Sequence, residues 1–182
     1  MTFLEMLQVA SDAFETEGVQ CLLIGGLAVN YHGYSRNTQD IDFMVAAVEL
    51  DRADRALRDA GFSNVERRPN VVFFRRPDDD LRLDVLHVEE ETFKQLWSSS
   101  LTIHPSGHAL RIPCLEHLLA MKLFALKTSW DRRVAKDLPD IANLIVINGL
   151  DMNAVLRPLC HRFADEQIYG RIADEVKKLG GC

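Results

Sequence analysis

Apolar residues recur at helical spacing over residues 3–17, where Phe3, Leu4, Leu7, Val9, Ala10, Ala13 and Phe14 fall on one side and Gly18 ends the run. Residues 19–24 (VQCLLI) are a short apolar block that stops at Gly25-Gly26, the pattern of a buried strand feeding a turn. Residues 27–32 predict a helix with Gly33 as its breaker. Residues 40–45 (DIDFMV) read as a second strand, and residues 50–60 as a helix closed by Gly61. Two further strands are predicted at 71–75 and 81–88. Pro77-Asp78-Asp79-Asp80 between them is solvated turn material, so the pair forms a hairpin. A helix follows at 90–97, then two short strands around His104-Pro105-Ser106-Gly107. Beyond Pro113, Leu115, Leu118, Leu119, Lys122, Leu123 and Leu126 keep a helical period, and further helices are predicted at 134–147, 151–163 and 165–179.

This order predicts an α+β fold, a mixed sheet with flanking helices followed by a C-terminal helical region. A soft boundary near residues 107–113 divides the chain into 1–112 and 113–182. With 182 residues and 47% hydrophobic content, the chain can bury one core plus a helical extension. No stretch reaches the ~18 consecutive apolar residues that span a bilayer, and no secretory signal opens the sequence. Cys21, Cys114, Cys160 and Cys182 are scattered, which suits reduced thiols in a cytoplasmic protein. Cys160-His161 lacks the paired spacing of a zinc site. The net charge of −6 excludes a broadly basic nucleic-acid surface. The pairs Arg67-Arg68, Arg75-Arg76 and Arg132-Arg133 keep a nucleic-acid acceptor open.

The chemistry concentrates in a few positions. In a strand, Asp40 and Asp42 point to one face while Ile41 and Phe43 point to the other. Two carboxylates side by side repel each other, and a divalent cation relieves the repulsion. Asp84 is the one acid in the apolar stretch 81–88. If that strand lies beside 40–45, Asp84 joins the pair as a third metal ligand and can help deprotonate an acceptor hydroxyl. Two Mg²⁺ ions, with Mn²⁺ as the alternative, would clamp phosphoryl chemistry there. Gly25-Gly26 lets the backbone approach a ligand closely, and the helix start after it favours a triphosphate.

Ile24-Gly25-Gly26, thirteen residues, then Asp40-Ile41-Asp42-Phe43 resembles the signature of the DNA polymerase β-type nucleotidyltransferase superfamily. The fuller string GGLAVNYHGYSRNTQDIDFMV is most similar to the AbiEii-type toxin nucleotidyltransferases and their bacterial relatives. Lys122, Ala125-Leu126, Arg132-Arg133 and residues 136–141 (KDLPDI) resemble the helical region that follows the catalytic sheet in those proteins. Many superfamily members carry Gly-Ser where this chain has Gly25-Gly26, so the serine hydroxyl that would touch a phosphate is missing. The resemblance implies a polymerase β-like fold with a catalytic domain at 1–112. It implies Mg²⁺-dependent transfer of a nucleoside monophosphate from a triphosphate such as ATP to a hydroxyl, releasing pyrophosphate. The acceptor is then RNA, such as a tRNA end, with an antitoxin partner, or a small aminoglycoside-like molecule.

Asp40, Asp42 and Asp84 are the expected catalytic and metal-binding residues, and Gly25, Gly26, Arg36, Thr38 and Lys122 the expected nucleotide-binding ones. Each has a plainer reading. Arg36 is equally a solvated loop residue, Thr38 a turn former, and Lys122 a surface lysine on an amphipathic helix. Lys136, Asp137 and Asp140 suit surface ion pairing between positions 136 and 140. A non-catalytic nucleotide-binding module of the same fold and a Mg²⁺ phosphohydrolase are the alternatives.

Overall fold

The computed structural model describes residues 1–77 and 79–180, without the side chains of Asn64, Val65 and Ser106. The turn residue Asp78 and the thiol of Cys182 lie outside the described residues. The chain divides into two compact units, one of Met1–Ala28 with Asn37–Cys114, the other of Val29–Arg36 with Leu115–Cys182.

The first unit is built on a mixed five-stranded sheet in the order β1-β2-β5-β4-β3. The strands are β1 (Cys21–Leu23), β2 (Asp40–Ala46), β3 (Ser63–Arg68), β4 (Val71–Arg75) and β5 (Arg82–Val88). β2 and β5 run parallel, and the other neighbours are antiparallel. β4 and β5 form the expected hairpin. β3 was not legible as a strand, because SNVERR offers one apolar residue. As an edge strand it buries little and tolerates charge.

Alternation along these strands sorts the side chains. Ile41, Phe43, Leu83, Val85, Val72 and Phe74 register opposite one another, Val45 continues the same face of β2, and all are 0% exposed. Helix α1 (Phe3–Thr16) lays Phe14 edge-on against Phe43, with ring centroids 5.2 Å apart. Burying each such ring is worth about 1.5–3 kcal/mol. The start of α1 is fixed by Thr2 and Glu5. The Thr2 Oγ1 accepts the Glu5 amide at 3.3 Å and Glu5 Oε2 accepts the Thr2 amide at 2.8 Å. Helix α2 (Gly25–Tyr31) begins at Gly25 itself, two residues before the apolar pattern predicts it. Helices α3 (Leu50–Asp59) and α4 (Glu90–Ser98) and a small sheet of β6 (Leu101–Ile103) and β7 (Leu110–Ile112) complete the unit.

The second unit holds the long helices α5 (Leu115–Thr128) and α6 (Trp130–Asn148), then α7 (Arg157–Phe163) and α8 (Glu166–Lys178). α6 starts four residues earlier than its periodicity predicts, and a wide turn at Met152–Leu156 precedes α7. Leu118, Leu119, Leu123 and Leu126 of α5, Ile141, Leu144 and Ile145 of α6, and Ile168, Ile172 and Val176 of α8 are the buried stripes of this unit. Among the described residues, no helix is long and apolar enough to cross a membrane.

Candidate active site

The face of the first unit's sheet opposite its core carries the acids. Parallel pairing of β2 with β5 sets Asp42 beside Asp84 and Asp40 beside Arg82. Cross-strand partners share a face, so Asp40, Asp42 and Asp84 all point to the same side. The β1 end of the sheet brings the glycine turn to them. The Ile24 amide donates to the Asp42 carbonyl at 2.8 Å. Gly25 then turns with φ +64°, and a Cβ there would stand 1.9 Å from Asp42 Oδ2. The carboxylate thus occupies the space a side chain at position 25 would need. Gly26 is buried in the first turn of α2. The Thr38 hydroxyl donates to the Asp40 carbonyl at 3.3 Å and ties the approach to β2.

Arg82 links the acids. Its Nε and Nη2 donate to the two oxygens of Asp84 at 2.7 and 3.0 Å, and Nη2 lies 3.2 Å from Asp40 Oδ2. This fork is the planar geometry guanidinium offers to carboxylates. Burial pushes the Asp84 carboxyl up to about 6, and the Asp42 and Asp40 charges add to that rise while the Arg82 hydrogen bond opposes it. Among the described residues, no three acid, imidazole or thiol groups already stand close enough to hold a metal ion. The donor set nevertheless fits a hard divalent cation. Three carboxylates, hard oxygen donors, share one face, and the Arg82 guanidinium that bridges two of them is a cation a metal would displace.

Arg36 and Lys122 meet in the second unit. Lys122 is 6% exposed, and its Nζ donates to Asp137 Oδ1 and Asp140 Oδ2, each at 2.7 Å. Arg36 grips the same Asp140 through Nε and Nη2 at 2.5 and 2.8 Å. The loop carrying it is pinned by Asn30, whose side chain donates to the Arg36 carbonyl and accepts its amide, both at 3.0 Å. Burial works against the Asp140 anion, but hydrogen bonds from Arg36 and Lys122 hold its carboxyl below the usual value. The surface reading of Lys122, Asp137 and Asp140 is corrected here. Asp137 and Asp140 are 2% and 0% exposed, and Asp140 pairs with Arg36 and Lys122 rather than serving an exposed pair with Lys136.

Sequence reasoning missed Arg82, which sits two positions before Asp84 and so shares its strand face. It also missed the burial of Asp137 and Asp140. The signal was present: positions 137, 140, 141, 144 and 145 form one inward stripe of α6.

A family model described as "uncharacterised nucleotidyltransferase" matches residues 1–163. The search of curated proteins gives no match. The crystal structure of ANT(2″)-Ia with adenylyl-2″-tobramycin superposes with TM-score 0.64 at 13% identity, covering 96% of this chain and 99% of that one. The lincomycin-bound lincosamide adenylyltransferase LnuA gives TM-score 0.56 at 20% identity, over 79% of this chain and 96% of that one. An antigenic nucleotidyltransferase-like protein from Paracoccidioides brasiliensis gives TM-score 0.56 at 15% identity, over 93% and 92% of the two chains. These likenesses show the polymerase β-like fold. The family match, spanning both the glycine turn and the acidic strands, makes the chain an enzyme that belongs to the uncharacterised nucleotidyltransferase family.

Proposed function

We propose that the enzyme moves a nucleoside monophosphate from a nucleoside triphosphate to an acceptor hydroxyl. The observation that carries this reading is the placement of three carboxylates on one sheet face, with the Gly25 backbone against Asp42. Asp40, Asp42 and Asp84 would hold Mg²⁺ or Mn²⁺, which when bound supplies neutralisation of the triphosphate charge. Gly25 lets the Asp42 carboxylate close against the turn, and Gly25 and Gly26 would bind the phosphates through the backbone at that turn. The acceptor oxygen forms a bond to the α-phosphorus, the bond to the bridging oxygen breaks, and pyrophosphate leaves. Asp84 would take the hydroxyl proton. The protein's part is positioning and charge compensation.

The names of two structural neighbours carry adenylyl transfer to antibiotics, so ATP and a small hydroxyl acceptor come first for testing. The string from Gly25 to Val45 favours a second acceptor, RNA, with the enzyme as an AbiEii-type toxin in the cytoplasm held by an antitoxin. The test uses Mg²⁺, each labelled triphosphate, and aminoglycosides, lincosamides or an RNA pool. Wild type and Asp42→Ala are compared. Transfer by wild type alone, with pyrophosphate released, supports the reading. Equal transfer by both refutes the site. Free phosphate instead of pyrophosphate marks a phosphohydrolase, and tight nucleotide binding without turnover marks a non-catalytic module.

A further inference from the structure

One aromatic side chain lies on the wrong face for the core. Val72 and Phe74 of β4 point into the apolar layer, and Phe73 between them registers opposite Asp84 of β5. Glu66 of β3 registers opposite Phe73 on its other side. The row Glu66, Phe73, Asp84, Asp42 therefore crosses the sheet on the acidic face. Two guanidinium groups lean on the Phe73 ring, Arg82 at 5.1 Å and Arg68 at 5.2 Å from its centroid. The Arg68 side chain is 51% exposed and Phe73 itself is half-buried. Arg75, two positions along β4, lies on the same face and is exposed.

We propose that Phe73, with Arg68 and Arg82 about its ring, is the platform for the acceptor, and that the acceptor presents a nucleotide unit, a planar base with a phosphate near the reacting hydroxyl. This rests on the nucleotidyl-transfer reading above. Asp84 stands between Asp42 and Phe73 in the row. With the triphosphate at Gly25 beside Asp42, a hydroxyl reaching Asp84 comes in from the β4 side, over Phe73. An aromatic face stacks any base, and a guanidinium fork takes phosphate oxygens in pairs. Arg68 is now held by Glu66 at 2.7 Å. A phosphate would compete with Glu66 for it by offering the paired oxygens a guanidinium fork takes.

The source of the unit is either the 3′ end of a single-stranded RNA or a free mononucleotide. The experiment is fluorescence anisotropy with a labelled mixed-sequence oligoribonucleotide, using wild type, Phe73→Leu, Phe73→Tyr and Arg68→Gln, at two salt concentrations. Wild type is expected to bind. Phe73→Leu weakens binding about tenfold through lost stacking, and Phe73→Tyr restores it. Arg68→Gln weakens it and lowers the salt dependence by about 0.7 in slope, one phosphate contact on a single strand. Competition by a mononucleotide at matching affinity identifies the free nucleotide as the source, and its absence identifies the strand end. Either outcome supports the platform. No binding by wild type, or equal binding by all variants, overturns it. Should Phe73→Leu fail to fold, the exposed Arg68→Gln carries the test. Label transfer to an aminoglycoside by wild type and not by Asp42→Ala would sink this proposal while leaving nucleotidyl transfer standing. Equal transfer by those two proteins would sink the parent reading instead.

Discussion

At Gly25 the backbone turns with a positive φ of +64°, and an added Cβ would lie 1.9 Å from Asp42 Oδ2. Even alanine must push that carboxylate off its strand face, and must also adopt a conformation that L residues disfavour. The two effects are separable by measurement. The backbone strain of Gly25→Ala should reduce stability by about 1 kcal/mol, read from urea unfolding. Displacing a catalytic group by about 1 Å costs on the order of a hundredfold in rate. Label transfer should therefore collapse while most of the protein stays folded. A Gly25→Ala protein that transfers label at the wild-type rate would show that the turn and the carboxylate work independently. Asp42 and Asp84 were legible at this scale, because each interrupts an apolar strand at an alternating position. Arg82 was not, because an arginine at a strand start reads as solvated until the register shows what it faces.

Between α5 and α6 the second unit buries one cation and two anions, Lys122 with Asp137 and Asp140, and the half-buried Arg36 adds a second cation from the loop after α2. Such a cluster contributes little net stability when intact, but losing one partner leaves a buried charge uncompensated, at a cost of about 3–5 kcal/mol. Lys122→Ala should accordingly lower the denaturant midpoint far more than Ala replacement of an exposed lysine such as Lys94. The pH dependence follows from Asp140. Its carboxyl is held below the usual value in the folded protein, so between the folded and unfolded values the unfolded chain binds more protons. Stability from this group is present above the ordinary carboxylate value of about 3.9 and fades as pH falls through the lower, folded value. Wild type should lose stability on acidification in that window, and Asp140→Asn should show a shallower slope there. Parallel slopes would place the acid sensitivity elsewhere. The elements themselves were mostly readable from periodicity, since the apolar stripes of α1, α5 and α8 are local in sequence. The exceptions are those whose reason lies far away. Lys122 falls within the helical apolar run of α5, yet its burial makes sense only with Asp137 and Asp140 on the next helix. Arg36 reaches a partner 104 positions along the chain. β3 is a strand because β4 offers it an edge, and its own residues hardly ask for one.

For the molecule as a whole, the charge balance makes the strongest demand. The chain carries a net charge of −6, and three carboxylates gather on one sheet face, two of them bridged by the Arg82 guanidinium. That concentration of like charge opposes folding of the first unit and is relieved by any cation that binds the native face alone. Mg²⁺ or Mn²⁺ at about 100 times its dissociation constant would add about 2.7 kcal/mol by mass action. In a chain of this size that corresponds to a rise of about 5–10 °C in melting temperature, at roughly 2–4 °C per kcal/mol. Simple screening by salt would act on every surface charge and would not discriminate among ions. The comparison is therefore made at constant ionic strength, with KCl replacing MgCl₂ in the control. Wild type should melt higher with Mg²⁺ or Mn²⁺ than with KCl, the gain should vanish on chelation, and Asp42→Asn should show much less of it. Chelation should abolish label transfer over the same concentration range. If neither divalent ion moves the melting temperature of wild type beyond the KCl control, the acidic face needs no divalent ion, and the metal assignment to Asp40, Asp42 and Asp84 falls with it.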